Sequence, residues 1–222
     1  MTVPPTYLFN RETGTQIGEL LARLLEPTGY HLATAILPEK LLAGSSGLAA
    51  YGKNNVTYVP GMGSFHRPTA FYTDLPCSDD PWRAPAMMDR CQKCTACLHA
   101  CPSGAIVPDR FLVHAEWCIT FHNEKPGDVP FPAWLDPAGH NSLVGCMQCQ
   151  RIRPENRDVL GWVKEGAHFS EAETRLFVEG VPPERLLEAT VDKLRGFELV
   201  DLHPLFHRNL SALLSAAQDR RH

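Results

Sequence analysis

The sequence predicts an α+β fold in three parts: a small mixed α/β unit over residues 1–85, a loop-rich segment over 86–157 and a helical tail over 158–222. Three observations predict it. Apolar residues recur at a helical period near both ends of the chain. Short β-branched and aromatic runs sit between Gly/Pro clusters in the first third. Seven of the eight cysteines fall between Cys91 and Cys149, in a stretch with no long periodicity.

The elements follow in order. Ile17, Leu20, Leu21, Leu24 and Leu25 define a helix over 11–28, which Pro27 and Gly29 end. His31 to Leu37 reads as a short buried strand, and Pro38 to Leu42 opens a helix that Gly44 and Gly47 stop. Val56 to Val59 and Thr69 to Asp74 read as strands. Pro76, Pro81 and Pro85, with Asp79 and Asp80, mark a connection. In the tail, Ser170 and Glu173 form a capping-box pair. Pro182 and Pro183 start a helix with Leu186, Leu187 and Leu194 on its inner face. A last helix runs from about Pro204 to Ala217, with Leu205, Phe206, Leu210, Leu213 and Leu214 apolar. These tail helices have apolar faces that suit internal packing or a homodimer.

Composition narrows the function. The chain has 222 residues, 44% of them apolar and 21% charged, with a formal charge of -4. No basic stripe points to nucleic acid. No run of apolar residues is long enough to span a bilayer. The opening MTVPPTYLFN has no basic region followed by an apolar one, so a cytoplasmic location without a membrane partner is expected. Cytosolic thiols stay reduced, so eight cysteines imply metal binding rather than a disulfide scaffold.

The cysteine spacing carries the chemistry. Cys91-x2-Cys94-x2-Cys97-x3-Cys101-Pro102 is the bacterial ferredoxin run. Three thiolates on one tight loop reach three irons of a cube, while the fourth turns toward a second cluster. Zinc also accepts C-x2-C pairs, but four cysteines this close followed by proline suit a cluster better. A second group follows: Cys118, then Cys146-x2-Cys149-x3-Arg153-Pro154. Cross-ligation assigns Cys101, Cys118, Cys146 and Cys149 to one [4Fe–4S] cluster. The other keeps Cys91, Cys94 and Cys97, with Arg153 where a fourth thiolate is expected. A protonated guanidinium has no lone pair to offer. That site can keep an iron bound by water, substrate or a non-cysteine residue, lose that iron and become [3Fe–4S], or recruit Cys77. The alternative for Cys77 is a small buried apolar residue.

A family resemblance rests on these residues. CQKCTACLHACPSGAI, the isolated Cys118 and GCMQCQRIRPEN resemble the double-cluster domain of epoxyqueuosine reductases and the related cobalamin-dependent reductive dehalogenases. Upstream, SGLAAYGKNNVTYVPGMGSF and FYTDLP are similar to the stretch before the clusters in epoxyqueuosine reductases. The resemblance implies a ferredoxin-like double-cluster insert and a role in electron transfer. Against that family's long N-terminal cobalamin-binding region, only about 40 residues precede the shared part here, and the helical RNA-binding repeats are expected to be missing or reduced to the short tail. The family's proposed proton donor, an Asp shortly before an EK-LA stretch, has no counterpart near Ala33, ahead of the EKLLA that begins at Glu39. These departures argue against epoxyqueuosine reductase activity itself and against bound cobalamin.

The remaining candidates are secondary. His66, His99, His114, His122 and His140 lie in or near the cluster region, and His99 sits inside the motif loop. Glu155 and Asn156 stand within reach of the three-cysteine site. Gly52-Lys53-Asn54 lacks phosphate-loop spacing, and Gly61-x-Gly63 reads as a turn. Trp117, Phe121, Phe131 and Trp134 are expected to wall the clusters from water. The expected function is an iron–sulfur electron-transfer protein with a redox partner protein. The alternatives are an oxidoreductase acting at an open iron or a bound corrinoid, and a domain whose clusters only hold the fold. Catalytic residues are not assignable from sequence.

Overall fold

The computed structural model describes residues 3–80 and 82–219. Met1, Thr2 and Pro81 lie outside the described residues. The architecture is the expected α+β class, with four short strands and eight α-helices among the described residues.

The N-terminal helix α1 spans Asn10–Leu25 and passes into a 3₁₀ turn that Gly29 ends in the left-handed region, at φ 84°. Only a residue without Cβ reaches that conformation without strain. Helix α1 packs against β1 (Leu32–Thr34), which pairs antiparallel with β4 (Phe71–Thr73) in the register Leu32↔Thr73. The expected buried strand over 31–37 is corrected here. Only three residues pair, Ala33 and Thr34 are exposed, and Ile36 is 97% exposed. A two-stranded ribbon covered by one helix leaves its other face to solvent. Helix α2 (Glu39–Ser45) begins after Pro38 and contains Gly44, which closes on the Tyr51 ring; the left-handed stop is Gly47 alone.

A second ribbon pairs β2 (Ala50–Tyr51) with β3 (Thr57–Tyr58), antiparallel, through Ala50↔Tyr58 and Tyr51↔Thr57. The five residues between them form a tight loop in which Gly52 N–H donates to Val56 O and Asn55 takes φ 56°. This loop carries Lys53 and Asn54 into the interior, where both are buried. The segment after it folds back on itself, with Val59 bridged to Gly63.

The cysteine-rich stretch holds only short helices: α3 (Ala96–Ala100), α4 (Ile119–Asn123) and α5 (Gln148–Arg151). Helices α3 and α5 pack on each other. The tail adds α6 (Glu171–Val178), α7 (Glu188–Arg195) and α8 (Phe206–Asp219). The Ser170–Glu173 capping box forms as read, each residue bonding the other's backbone N–H. Leu187 departs from expectation. It is exposed because Leu186 and Leu187 stay extended ahead of α7.

The core crosses the boundaries expected at 157 and 158. Leu143 and Val144 pack with Phe177, Leu194, Leu199, Leu205, Phe206 and Leu210, and Val3, Tyr7 and Leu8 cover the cluster from the other end of the chain. Polar bonds reinforce the joint. Buried Arg208 donates to the carbonyls of Asn123, Lys125, Pro126 and Val129, and Asn209 Nδ2 donates to those of Asn123 and Leu143. Buried carbonyls of an irregular loop must find donors, and α8 supplies them. The apolar face of α8 is therefore used internally, except for exposed Leu214.

Candidate metal centre

The sulfurs fall into two sets. Around buried Cys97 the charged and ionisable neighbours are Arg153, Cys91 and Cys94. Around Cys149 they are Cys146, Cys118 and Cys101. All four of the latter line one cavity of about 280 Å³, together with Tyr7, Lys40 and Met147. No three His, Cys, Asp or Glu side chains among the described residues converge closely enough to hold a single metal ion.

The surroundings fit thiolates that meet positive charge. Burial pushes the Cys149 thiol up to about 12 and also raises Cys146 and Cys97. A buried thiol resists ionising until a cation offsets its charge, which metal coordination does. Donors already point at the sulfurs. Asn141 Nδ2 lies 3.3 Å from Cys146 Sγ, and Asn54 Nδ2 lies 3.5 Å from Cys149 Sγ.

Lys53 and Asn54 place the β2–β3 loop between the two sets. Lys53 Nζ donates to the carbonyls of Gln92 (3.2 Å) and Cys94 (3.0 Å), fixing the loop that carries the first cysteines. Asn54 bonds the Tyr58 hydroxyl and Cys149. Sequence reading rejected this tripeptide as a phosphate loop and gave it no other role. The turn at Gly63 is anchored in the same way. Asn156 Oδ1 accepts from Ser64 N–H at 2.7 Å, and Asn156 Nδ2 donates to Ser64 Oγ and Gln150 O. Gly63 sits at φ +66°, and a Cβ there would come within 2.2 Å of Asn156 Oδ1.

Arg153 lies inside the first set. Its side chain is 1% exposed. Nη2 donates to Cys91 Sγ at 3.0 Å, Nη1 stands 3.9 Å from Cys94 Sγ, and the guanidinium lies over the Tyr58 ring at 5.4 Å. Nε is 3.2 Å from Glu155 Oε2 without hydrogen-bond alignment, and Glu155 Oε1 accepts from Arg90. Burial works against the charge on Arg153, but Cys91, Glu155 and Tyr58 outweigh it and hold the proton more firmly. Glu155 thus reaches the three-cysteine site through Arg153, and Asn156 serves the backbone.

Other candidates lie elsewhere. Cys77 is exposed and its thiol donates to Asp79 O, so it is neither a buried apolar residue nor folded back on Cys91. His99 is exposed. His114 stacks on Trp117 and pairs with Glu116; buried His122 donates to Glu116 O; buried His140 packs on Phe131. The Nδ1 atoms of His66 and His140 are buried without a hydrogen-bond partner among the described residues. The aromatic wall is also corrected. Trp117, Phe121 and Trp134 are each about half exposed, spent on His114, Lys125 and His122, and Phe131 packs on His140 and Arg208.

Residues 90–156, which hold both sulfur sets, match the 4Fe-4S double cluster binding domain. Over and around this stretch the chain is similar to epoxyqueuosine reductases. Over 144 residues it is 32% identical to the epoxyqueuosine reductase of Francisella cf. novicida (strain Fx1), a match that covers 64% of this chain and 39% of that one. The structure of epoxyqueuosine reductase from Streptococcus thermophilus has the same fold, with a TM-score of 0.69 at 19% identity over 96% of this chain and 56% of that one. An epoxyqueuosine reductase solved with a tRNA-TYR epoxyqueuosine-modified tRNA stem loop superposes at a TM-score of 0.64 and 21% identity, covering 91% of this chain and 54% of that one. The chain therefore spans well under two thirds of the relatives it matches.

Two consequences follow from these similarities. It is an iron–sulfur redox protein, its cofactors being iron–sulfur clusters. The expectation against epoxyqueuosine reductase activity is corrected, because the relatives at 32% identity and the structural neighbours are that enzyme. The missing Asp near Ala33 was too narrow a ground, since it set one position against the whole shared stretch. Among the described residues no helix is long and apolar enough to cross a membrane.

Proposed function

We propose that the chain is a reductase of the epoxyqueuosine reductase kind, acting on an epoxide carried by a tRNA nucleoside. Its clusters accept single electrons from a redox partner protein and release them to the substrate. In this reading Cys101, Cys118, Cys146 and Cys149 ligate one [4Fe–4S] cluster, and Cys91, Cys94 and Cys97 hold the other. The stretch 86–157 carries both clusters in this reading and shares its core with the helical tail through Leu143 and Val144. Reducing an epoxide takes two electrons and two protons, whether its oxygen leaves as water or stays as an alcohol. Two one-electron centres match that stoichiometry.

The single observation that carries the reading is the β2–β3 loop. One loop bonds the Cys94 carbonyl through Lys53 and Cys149 through Asn54. It ties both sulfur sets to one loop, which supports passage of electrons between neighbouring clusters. Asn54 and Asn141 donate to thiolate sulfur and so favour the reduced state at the second set.

The test uses the full chain, purified and reduced without oxygen. Adding an epoxyqueuosine-containing tRNA stem loop should restore the visible absorption of the oxidised clusters, with two electrons lost per epoxide consumed. A reduced spectrum that does not change with the stem loop rejects this substrate and leaves an electron carrier.

A further inference from the structure

The corner of the first sulfur set where a fourth thiolate is expected is filled, and its chemistry is specific. Arg153 puts two guanidinium nitrogens toward Cys91 and Cys94 with its side chain 1% exposed. Glu155 holds the Nε side, and Arg90 holds Glu155 in turn. Tyr58 closes the guanidinium face. The cavity that opens in this region is lined by the other four cysteines.

A guanidinium offers only donors. An iron at that corner is a Lewis acid and needs a lone pair. Arg153 gives none, and its side chain, 1% exposed against the Tyr58 ring, takes up that corner itself. A cluster without that iron presents bridging sulfides at the same corner. Sulfides accept hydrogen bonds, and a planar cation with several N–H groups suits them. Lys53, the second buried cation here, also lies on this loop through the Gln92 and Cys94 carbonyls. Two cations near three thiolates stabilise a negatively charged cluster.

We infer that Cys91, Cys94 and Cys97 hold a [3Fe–4S] cluster whose missing-iron corner is occupied by the Arg153 guanidinium, clamped by Glu155. The inference rests on the two-cluster reading and deepens it. One centre is a four-iron cube, and the other is a three-iron cluster kept from maturing by a buried cation. Arg153 is a positioning residue that acts by excluding iron.

The test is metal content and EPR of the full chain, reconstituted without oxygen in excess ferrous iron and sulfide. The expected content is about seven irons per chain, against about eight for two complete cubes. The oxidised form should show the half-integer-spin signal of a three-iron cluster. Arg153→Lys keeps a donor-only cation and should keep both results. Arg153→Cys supplies the thiolate, and should raise iron to about eight and abolish the oxidised signal. If Arg153→Cys does not fold, the wild type decides alone. Ferrous ion and dithionite, followed by reoxidation, should leave its iron content and signal unchanged. A wild type that takes up the extra iron and is EPR-silent when oxidised overturns the inference while sparing the two-cluster reading. A chain that binds neither iron nor sulfide sinks that reading instead.

Discussion

Asn54 shows how one side chain tunes a metal centre from a distant part of the sequence. Its amide reaches Cys149 Sγ, 95 residues away, and shares the Tyr58 hydroxyl. A hydrogen bond to a ligand sulfur stabilises the reduced, more negative cluster. Asn54→Ala should therefore lower the potential of the cluster proposed on Cys101, Cys118, Cys146 and Cys149. A redox titration followed by EPR should show that wave moving down and the other staying in place. If neither wave moves, Asn54 is structural only. Residue-scale legibility follows sequence distance. The cysteines were readable because the ligands of a loop lie two or three residues apart. Lys53, Asn54 and Ser64 were not, because nothing in their local sequence names a partner 39, 95 or 92 residues away. Cys77 was misread for the converse reason, since only the fold reveals that its loop is exposed.

Among the elements, α6 was the most legible, since the Ser170–Glu173 cap is local. What the cap does beyond the helix end was not. Glu173 also binds Lys193 Nζ at 2.7 Å and Thr190 Oγ1 at 2.8 Å, so one carboxylate ties α6 to α7. Lys193, the Ser170 backbone and Thr190 hold the Glu173 carboxyl down at about 2. A depressed carboxyl stabilises the fold above its unfolded value near 4.5 and loses that contribution as pH falls toward 2. The Lys193 end is partly open to water, which screens the pair. Glu173→Gln should cost about 1 kcal/mol at neutral pH. Denaturant melts of wild type and variant should converge between pH 4.5 and 2; a gap that persists at pH 2 would assign the loss to packing. The strands were hard to read because each pairs over only two or three residues, too few for alternation to show.

On the whole-molecule scale, the three-part reading captured the order of the chain but not where it is held together. The core belongs to the tail and to Leu143 and Val144 jointly. Phe206 is 2% exposed and stacks edge-on against Phe177. Phe206→Ala should cost about 3–5 kcal/mol. Because α8 also caps the loop at Asn123 through Arg208 and Asn209, the same variant should release iron faster to a chelator. Faster unfolding with unchanged iron release would mean that the tail and the cluster segment are independent units. The aromatic wall also failed as an expectation. Trp117, Phe121 and Trp134 stay at the surface, packed on His114, Lys125 and His122.

The central claim is that two sulfur sets in one segment carry two iron–sulfur clusters. Iron and acid-labile sulfide, quantified together on the full chain purified without oxygen, test it most directly. The account predicts a brown protein with about seven irons and about eight sulfides per chain. A colourless preparation, or one that holds zinc and no sulfide, contradicts it.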